Sequence, residues 1–443
     1  MRFVGGDVQA LFVDQVRDLD PAQCLLVPVD VGKTTAMALV ADLFGEIVVD
    51  PFGFDLTEDG VSVLLAAVSS AELERGAVMV RFGVEAAGRY HRTLMACLRR
   101  QGLEVVELNP GAVKEARSGQ GKRRLKNDVR DLAAMADLLA RGGGRSPQPV
   151  DTEMAVQAAW AAHRRRKLKV RTALQNQVIG QIDVVFPGLT ECFSDLLETK
   201  AGRVIVRHIC EPSRIRRLGV EGLRSYVAKR GCRMSRPKAA QVVTAAKNAL
   251  RLDNAEHQAA SAVLAADVVL LETVEAEVER AEGLLGEILG QTPAGVLASL
   301  PGIGVVRASN YGAALGDPHR FTNAAAAYRF SGLVPTDYES AGRRRPGQHI
   351  SREGSTELRE AIIELGRGLA GHEPDFGAYK ASKLAEGKKP SVAAVAVGRR
   401  AHRLCFAMMR DQTRYDPAHW AEAVAAGRSV MTQTRKRVDV TTT

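Results

Sequence analysis

The chain has 443 residues, enough for two or three domains with cores of their own. A formal net charge of +10 and a pI of about 9.4 make nucleic acid the leading partner class, although a merely soluble basic protein is common and charge alone decides little. Six scattered cysteines (Cys24, Cys97, Cys192, Cys210, Cys232 and Cys405) without a C-x-x-C pair argue against a zinc ribbon or a disulfide scaffold and fit a reducing cytoplasm.

Residues 1–20 read as a tail. Acids break every apolar run of "FVGGDVQALFVDQVRDLD", and no later stretch reaches bilayer length, so neither a signal peptide nor a membrane partner is expected. Residues 24–52 read as three short strands, 57–74 as a helix, and "AVMVRFGVE" (77–85) as a strand ending at Glu85. "AAGRYHRTLMACLRRQG" is an amphipathic helix stopped by Gly102, "LEVVELN" a strand, Asn109-Pro110 a turn, and "KNDVRDLAAMADLLA" (126–140) a strongly periodic helix. Three strands followed by alternating helix and strand give residues 21–140 an α/β pattern in the ribonuclease H order rather than the doubly wound one.

"RGGGRSPQPV" (141–150) has the composition of a linker. Residues 151–290 read as a long helical, coiled-coil-like region. It opens with six cations between Arg164 and Arg171 (Arg164, Arg165, Arg166, Lys167, Lys169, Arg171), which suit RNA or DNA as well as they suit a solvated face. It closes with nine acids in 252–290 and apolar residues Leu264, Val268, Leu271, Val274, Val278, Leu285 and Leu289 at three- and four-residue steps, the pattern of a helix packed on another helix or on a second subunit. Residues 291–417 form a further, mostly helical domain, and 418–443 a tail whose cations are available to phosphate.

"VPVDVGKTTAMALV" (27–40) imitates a nucleotide-binding loop, with Lys33 as the phosphate lysine. The glycine required five residues before the Gly-Lys pair is Val27, and strands rather than a helix follow, so no ATP is expected. Asp30 is then an acid at the end of a buried strand, costly unless it caps a turn or binds a cation. Glu85 ends another strand. Asp128 and Asp131, three residues apart, share one helix face; Lys126, Arg130 and Arg124 nearby offer that pair a purely structural reading. Taken together, the four acids can hold one or two Mg²⁺ (or Mn²⁺) ions for phosphodiester chemistry.

Two features mark the C-terminal half. "VLASLPGIGVVRASNYGAAL" (296–315) resembles a helix-hairpin-helix, in which Gly302 and Gly304 would offer backbone N–H groups to a phosphate; a tight turn between packed helices is the alternative. After "GLVP", a loop carries Ser340 and then Arg343, Arg344 and Arg345. Such guanidinium groups can ease alkoxide formation and clamp a phosphate. A lone loop serine is ordinarily inert, and Ser331, Ser351 and Tyr338 are rival nucleophiles.

"VPVDVGKTTAMALVAD", "FGVEAAGRYHRTLMACLRRQGLEVVELNP" and "KNDVRDLAAMADLL" resemble the three blocks of the RuvC-like DEDD domain of the insertion-sequence one-ten family of transposases. "GLVPTDYESAGRRRPGQHISREGSTELR" and the closing "SVAAVAVGRRAHRLCFAMMRDQTRYDP" resemble its C-terminal transposase domain. The chain departs from the common blocks at Asn127, Leu132, Glu339, Ala341, Arg352 and Ser355, none of which is an acid of the set or the serine itself. The resemblance covers roughly 24–140 and 290–417.

It implies that Asp30, Glu85, Asp128 and Asp131 hold the metal and that Ser340 is the catalytic serine, the two domains forming a composite site. It further implies an oligomeric DNA recombinase (dimer or tetramer) that acts on element ends and target duplex, guided by a structured bridge RNA and working through a phosphoserine intermediate without ATP. A cytoplasmic, nucleoid-associated protein is expected. A junction nuclease using the acids and water, and a non-catalytic nucleic-acid-binding protein, are the alternatives.

Overall fold

A computed structural model of the chain describes residues 7–86, 88, 90–119, 128–145, 151–250, 253–335, 339–340, 343–344, 349–418, 420 and 422. These fall in two compact units, Met1–Pro149 and Val150–Thr443.

The first unit begins with helix α1 (Asp7–Val16), inside the stretch expected to be a tail. Its reason is Phe12, which is buried and lies 4.1 Å from the guanidinium of the equally buried Arg81. Strands β1 (Cys24–Val31), β2 (Thr35–Asp42) and β3 (Ile47–Asp55) form an antiparallel meander. Helix α2 (Glu58–Arg75) starts where the Thr57 hydroxyl accepts from Gly60 N and stops at Gly76, whose φ of 60° is left-handed. Then come β4 (Met79–Glu85), α3 (Tyr90–Arg100), β5 (Glu104–Leu108), α4 (Pro110–Gly119) and α5 (Asp128–Ala140). β4 pairs parallel with β1 and β5 parallel with β4, giving the order β3-β2-β1-β4-β5. This is the mixed sheet the sequence pattern predicts. Asn109-Pro110, read as a turn, instead opens α4, where proline fits the first helical position.

Strand parity divides the sheet into two faces. Leu25, Val27, Val29, Phe82 and Val84 meet α2 and α3. Cys24, Leu26, Val106 and Leu108 meet Met135 and Leu139 of α5 and Val113 of α4.

Among the described residues, the second unit has helices and one small hairpin. Its frame is α6 (Thr152–Val185), capped by the Asp151 carboxylate on Glu153 N. Next come α7 (Lys200–Ile209), α8 (Pro212–Ala228, broken at Gly219) and α9 (Arg236–Asn248), which lead to α10 (Asn254–Leu289). The apolar stripe Leu264, Val268, Leu271 and Val274 is buried with Leu174, Val178 and Ile182 of α6 and with Ile205 and Leu223. The acidic helix thus spends that stripe inside its own chain. Helices α11 (Val305–Leu315), α12 (Ala324–Phe330), α13 (Thr356–His372), α14 (Pro374–Ala385) and α15 (Pro390–Asp411) share a second core. Between α12 and α13, β6 (Glu339–Ser340) pairs antiparallel with β7 (Arg343–Arg344). Among the described residues no helix is long and apolar enough to cross a membrane.

Candidate active site

The "GKTT" segment is the turn between β1 and β2. Gly32 N donates to Thr35 O at 2.9 Å and the chain re-enters the sheet, so Lys33 stands at no helix N-terminus. Asp30, two residues earlier, has the parity of Cys24 and Leu26 and therefore belongs to the α5 face. Glu85 has the parity of Gly83, over which Leu139 of α5 lies so closely that a Cβ there would come within 2.6 Å of it. The parallel register of β1 and β4 ends with Val29 opposite Val84, and the next residue on each strand is an acid of the set. Both are half-buried.

Helix α5 brings the other two acids. Its buried face is Asp131, Leu132, Met135 and Leu139, and it packs on β1, β2 and β4. Asp131 is buried, whereas Asp128, in the first helical position, is exposed. The sequence therefore delivers three of the acids to one face of the sheet and the fourth to the helix end beside it.

Four carboxylates are a donor set for a hard cation such as Mg²⁺, and the strand register gathers Asp30 and Glu85 for it. The residue types fit such an ion. Among the described residues, however, no three Asp, Glu, His or Cys side chains are drawn together closely enough to hold one. One reason is visible at Asp131, whose Oδ1 accepts from Arg117 Nη1 at 2.5 Å. Sequence reasoning missed Arg117 altogether. It lies 14 residues away on α4 and shares no helical spacing with the acids.

In the second unit Ser340 pairs across β6–β7 with Arg343. Nearer the base, Pro335 bridges Ile350, and Ser351 N donates to Val334 O. Arg344 is the partner of Glu339; Arg345 and Tyr338 lie outside the described residues. The rival Ser331 is fully buried, its hydroxyl donating to Tyr328 O and accepting from Leu333 N, so it closes the end of α12. Ser351 Oγ accepts from Glu353 N and contacts Gly332 O, again a turn contact.

The basic run of α6 splits in two. Arg164 meets Glu282 of α10 at 2.6 Å and Arg165 meets Glu357 of α13 at 3.0 Å, so both tie helices together. Arg166 and Lys169 are exposed, while Lys167 and Arg171 are half-buried. Gly302 is pressed onto α13: a Cβ there would lie 2.5 Å from Gly368 O and from His372 Nδ1. That contact is what a packed turn requires. Gly304, the N-cap of α11, is open, and the adjoining cleft mixes Arg164, Arg165 and Arg307 with Glu282, Glu357, Glu360 and Glu364.

Residues 27–187 match the family model of the DEDD transposase domain of IS110 elements, and residues 294–381 match the model described as transposase IS116/IS110/IS902 family. The chain belongs to the IS110 family of transposases. It is 25% identical over 393 residues to the insertion element IS116 44.8 kDa protein of Streptomyces clavuligerus, covering 88% of this chain and 96% of that one. Against the insertion element IS900 42 kDa protein of Mycobacterium paratuberculosis it is 26% identical over 372 residues, 80% and 88% of the two chains. A probable family 20 transposase of Pseudomonas aeruginosa is 28% identical over 151 residues, a third of this chain and 44% of its own. As an IS110-family transposase, the protein is a DNA transposase. The first match takes in Asp30, Glu85, Asp128 and Asp131, and the second takes in Ser340.

Proposed function

We propose that this transposase moves its element by a serine-dependent strand exchange supported by the carboxylate set. The observation that carries the reading is the delivery of Asp30, Glu85 and Asp131 to the same face of one sheet. The Ser340 Oγ forms a bond to a DNA phosphorus and loses its proton, while the phosphodiester bond to one deoxyribose oxygen breaks and that oxygen leaves as a hydroxyl. Arg343 and its neighbours clamp the attacked phosphate. Asp30, Glu85, Asp128 and Asp131 would hold a divalent cation, Mg²⁺ or Mn²⁺, which would supply neutralisation of phosphate charge.

Because the bond energy is kept in the protein–DNA ester, attack by the partner strand's hydroxyl rejoins DNA without ATP. Arg166 and Lys169 on α6 support contact with a structured guide RNA, as does the overall positive charge. Exchange between two duplexes calls for more than one copy of the active site, hence an oligomer. The sheet order β3-β2-β1-β4-β5 supports the ribonuclease H-like, RuvC-like reading of the first unit.

The test is covalent trapping. Protein carrying its RNA is mixed with labelled element-end DNA and Mg²⁺ and resolved under denaturing conditions. The expected result is a protein–DNA adduct in the wild type that is absent in Ser340→Ala and in Asp128→Asn. Cleavage without an adduct that survives Ser340→Ala would replace the reading with a water-using junction nuclease.

A further inference from the structure

Asp131 is about 4% exposed, and an ionised carboxylate at that depth is costly unless a positive group meets it. The group that does so comes from its own unit. Arg117 stands in the last turn of α4, where a cation is also favoured by the helix dipole, and α4 packs along α5. Its contact with Asp131 is a single Nη1 donation to Oδ1 rather than the two-pronged fork that arginine and carboxylate can form. The Arg117 side chain is 28% exposed, so it has a path to solvent that Asp131 lacks. The carboxylate is thus enclosed, while its counter-charge borders solvent.

We infer that Arg117 is the built-in counter-ion of the carboxylate set: it keeps Asp131 paired and oriented in the ion-free protein and yields that carboxylate when a divalent cation binds. This rests on the proposed role of Asp30, Glu85, Asp128 and Asp131 as cation ligands. In this arrangement ion binding is an exchange, a guanidinium leaving as a dication arrives. Arg117 touches no reacting atom and is a positioning residue.

The consequence is opposite to that of a supporting ligand. Taking away the guanidinium charge should tighten ion binding. The guanidinium charge beside the carboxylate repels an arriving dication while it holds the carboxylate, so its loss leaves more of the carboxylate's field to the ion. In Arg117→Gln the amide still donates a hydrogen bond to Asp131 but carries no charge. Binding of Mn²⁺ to the full chain, followed by electron paramagnetic resonance of the free ion, is expected to be about tenfold tighter in Arg117→Gln than in wild type. Arg117→Lys, which keeps the charge, should bind like wild type.

Equal or weaker binding by Arg117→Gln would overturn the exchange. The underlying reading fails differently: Asp131→Asn and Asp30→Asn would then bind Mn²⁺ as well as wild type, or no form would bind it. A measurement on the unaltered protein guards against a misfolded variant. Phenylglyoxal modification of Arg117, followed by mass spectrometry, should accelerate when Mn²⁺ is added. An unchanged or slowed rate would count against the proposal whatever the variants do.

Discussion

At the scale of single residues, two side chains separate packing from chemistry. Gly83 lies beneath Leu139, so any added carbon must displace that side chain from the sheet face that carries Asp30 and Glu85. Gly83→Val should lower stability by about 1–3 kcal/mol, read from denaturant unfolding, and weaken Mn²⁺ binding along with it. Ser331 is the converse case, a serine whose hydroxyl is consumed by the backbone. Ser331→Ala should cost about 1–2 kcal/mol of stability and leave adduct formation intact. An adduct lost in Ser331→Ala but kept in Ser340→Ala would reverse the assignment of nucleophile. The sequence left Ser331 and Ser351 as weaker rivals of Ser340, because burial and hydroxyl partners are not written in the local pattern.

At the scale of elements, the basic run of α6 carries two jobs. Arg164 and Arg165 answer acids 118 and 192 residues further on, beyond the reach of any local spacing rule. Arg166 and Lys169 are exposed and are the pair proposed for phosphate. Arg166→Ala combined with Lys169→Ala should weaken RNA retention and lower the salt slope by between one and two, as expected for two lost phosphate contacts. Arg164→Ala should instead lower the melting temperature, since it leaves Glu282 without its partner. An identical salt slope in the double variant would remove α6 from the RNA-binding surface.

The same contrast explains what the sequence made legible. The strands β1 to β5, the acids at the ends of β1 and β4, and the periodic helix α5 all announce themselves through alternation, period and end position. Helix α4 did not, because Asn109-Pro110 reads equally as a turn and as a helix start. Arg117 went unseen with it. Helix α1 was missed for a related reason: Phe12 gains its place from Arg81, 69 positions later, and from a core it shares with Val106, Val113 and Met135.

At the scale of the whole molecule, the second unit contains a buried titratable group that makes its stability depend on pH. His402 is fully buried: its Nε2 donates to Ala324 O at 2.8 Å and its Nδ1 accepts from Tyr311 Oη at 2.9 Å. Burial holds it down to about 4, while Tyr311 is pushed upward by the same enclosure. Because the folded pKa lies below the unfolded one, the folded protein keeps His402 neutral where the unfolded chain takes up a proton. Stability is therefore complete above about pH 6.5 and falls as the pH drops toward 4, by about 3 kcal/mol at most. Both tryptophans, Trp160 and Trp420, lie in this unit, and Trp420 stacks on Phe376 in the same core, so their fluorescence follows its unfolding. Urea midpoints should decline between pH 7 and pH 5. A flat profile would mean that His402 titrates alike in both states.

The long pair α6 and α10 bears on how the chain is made. Helix α6 leaves the ribosome 68 residues before α10 begins, and at about 5–20 residues per second that is a wait of roughly 3–14 s. During it, Leu174, Val178 and Ile182 have only the emerging α7 to α9 to cover them, and these helices supply Ile205, Leu223 and Val242 to the same core. The insert between the two long helices is thus the first partner available to that stripe in synthesis, and it stays in the core that α10 later completes.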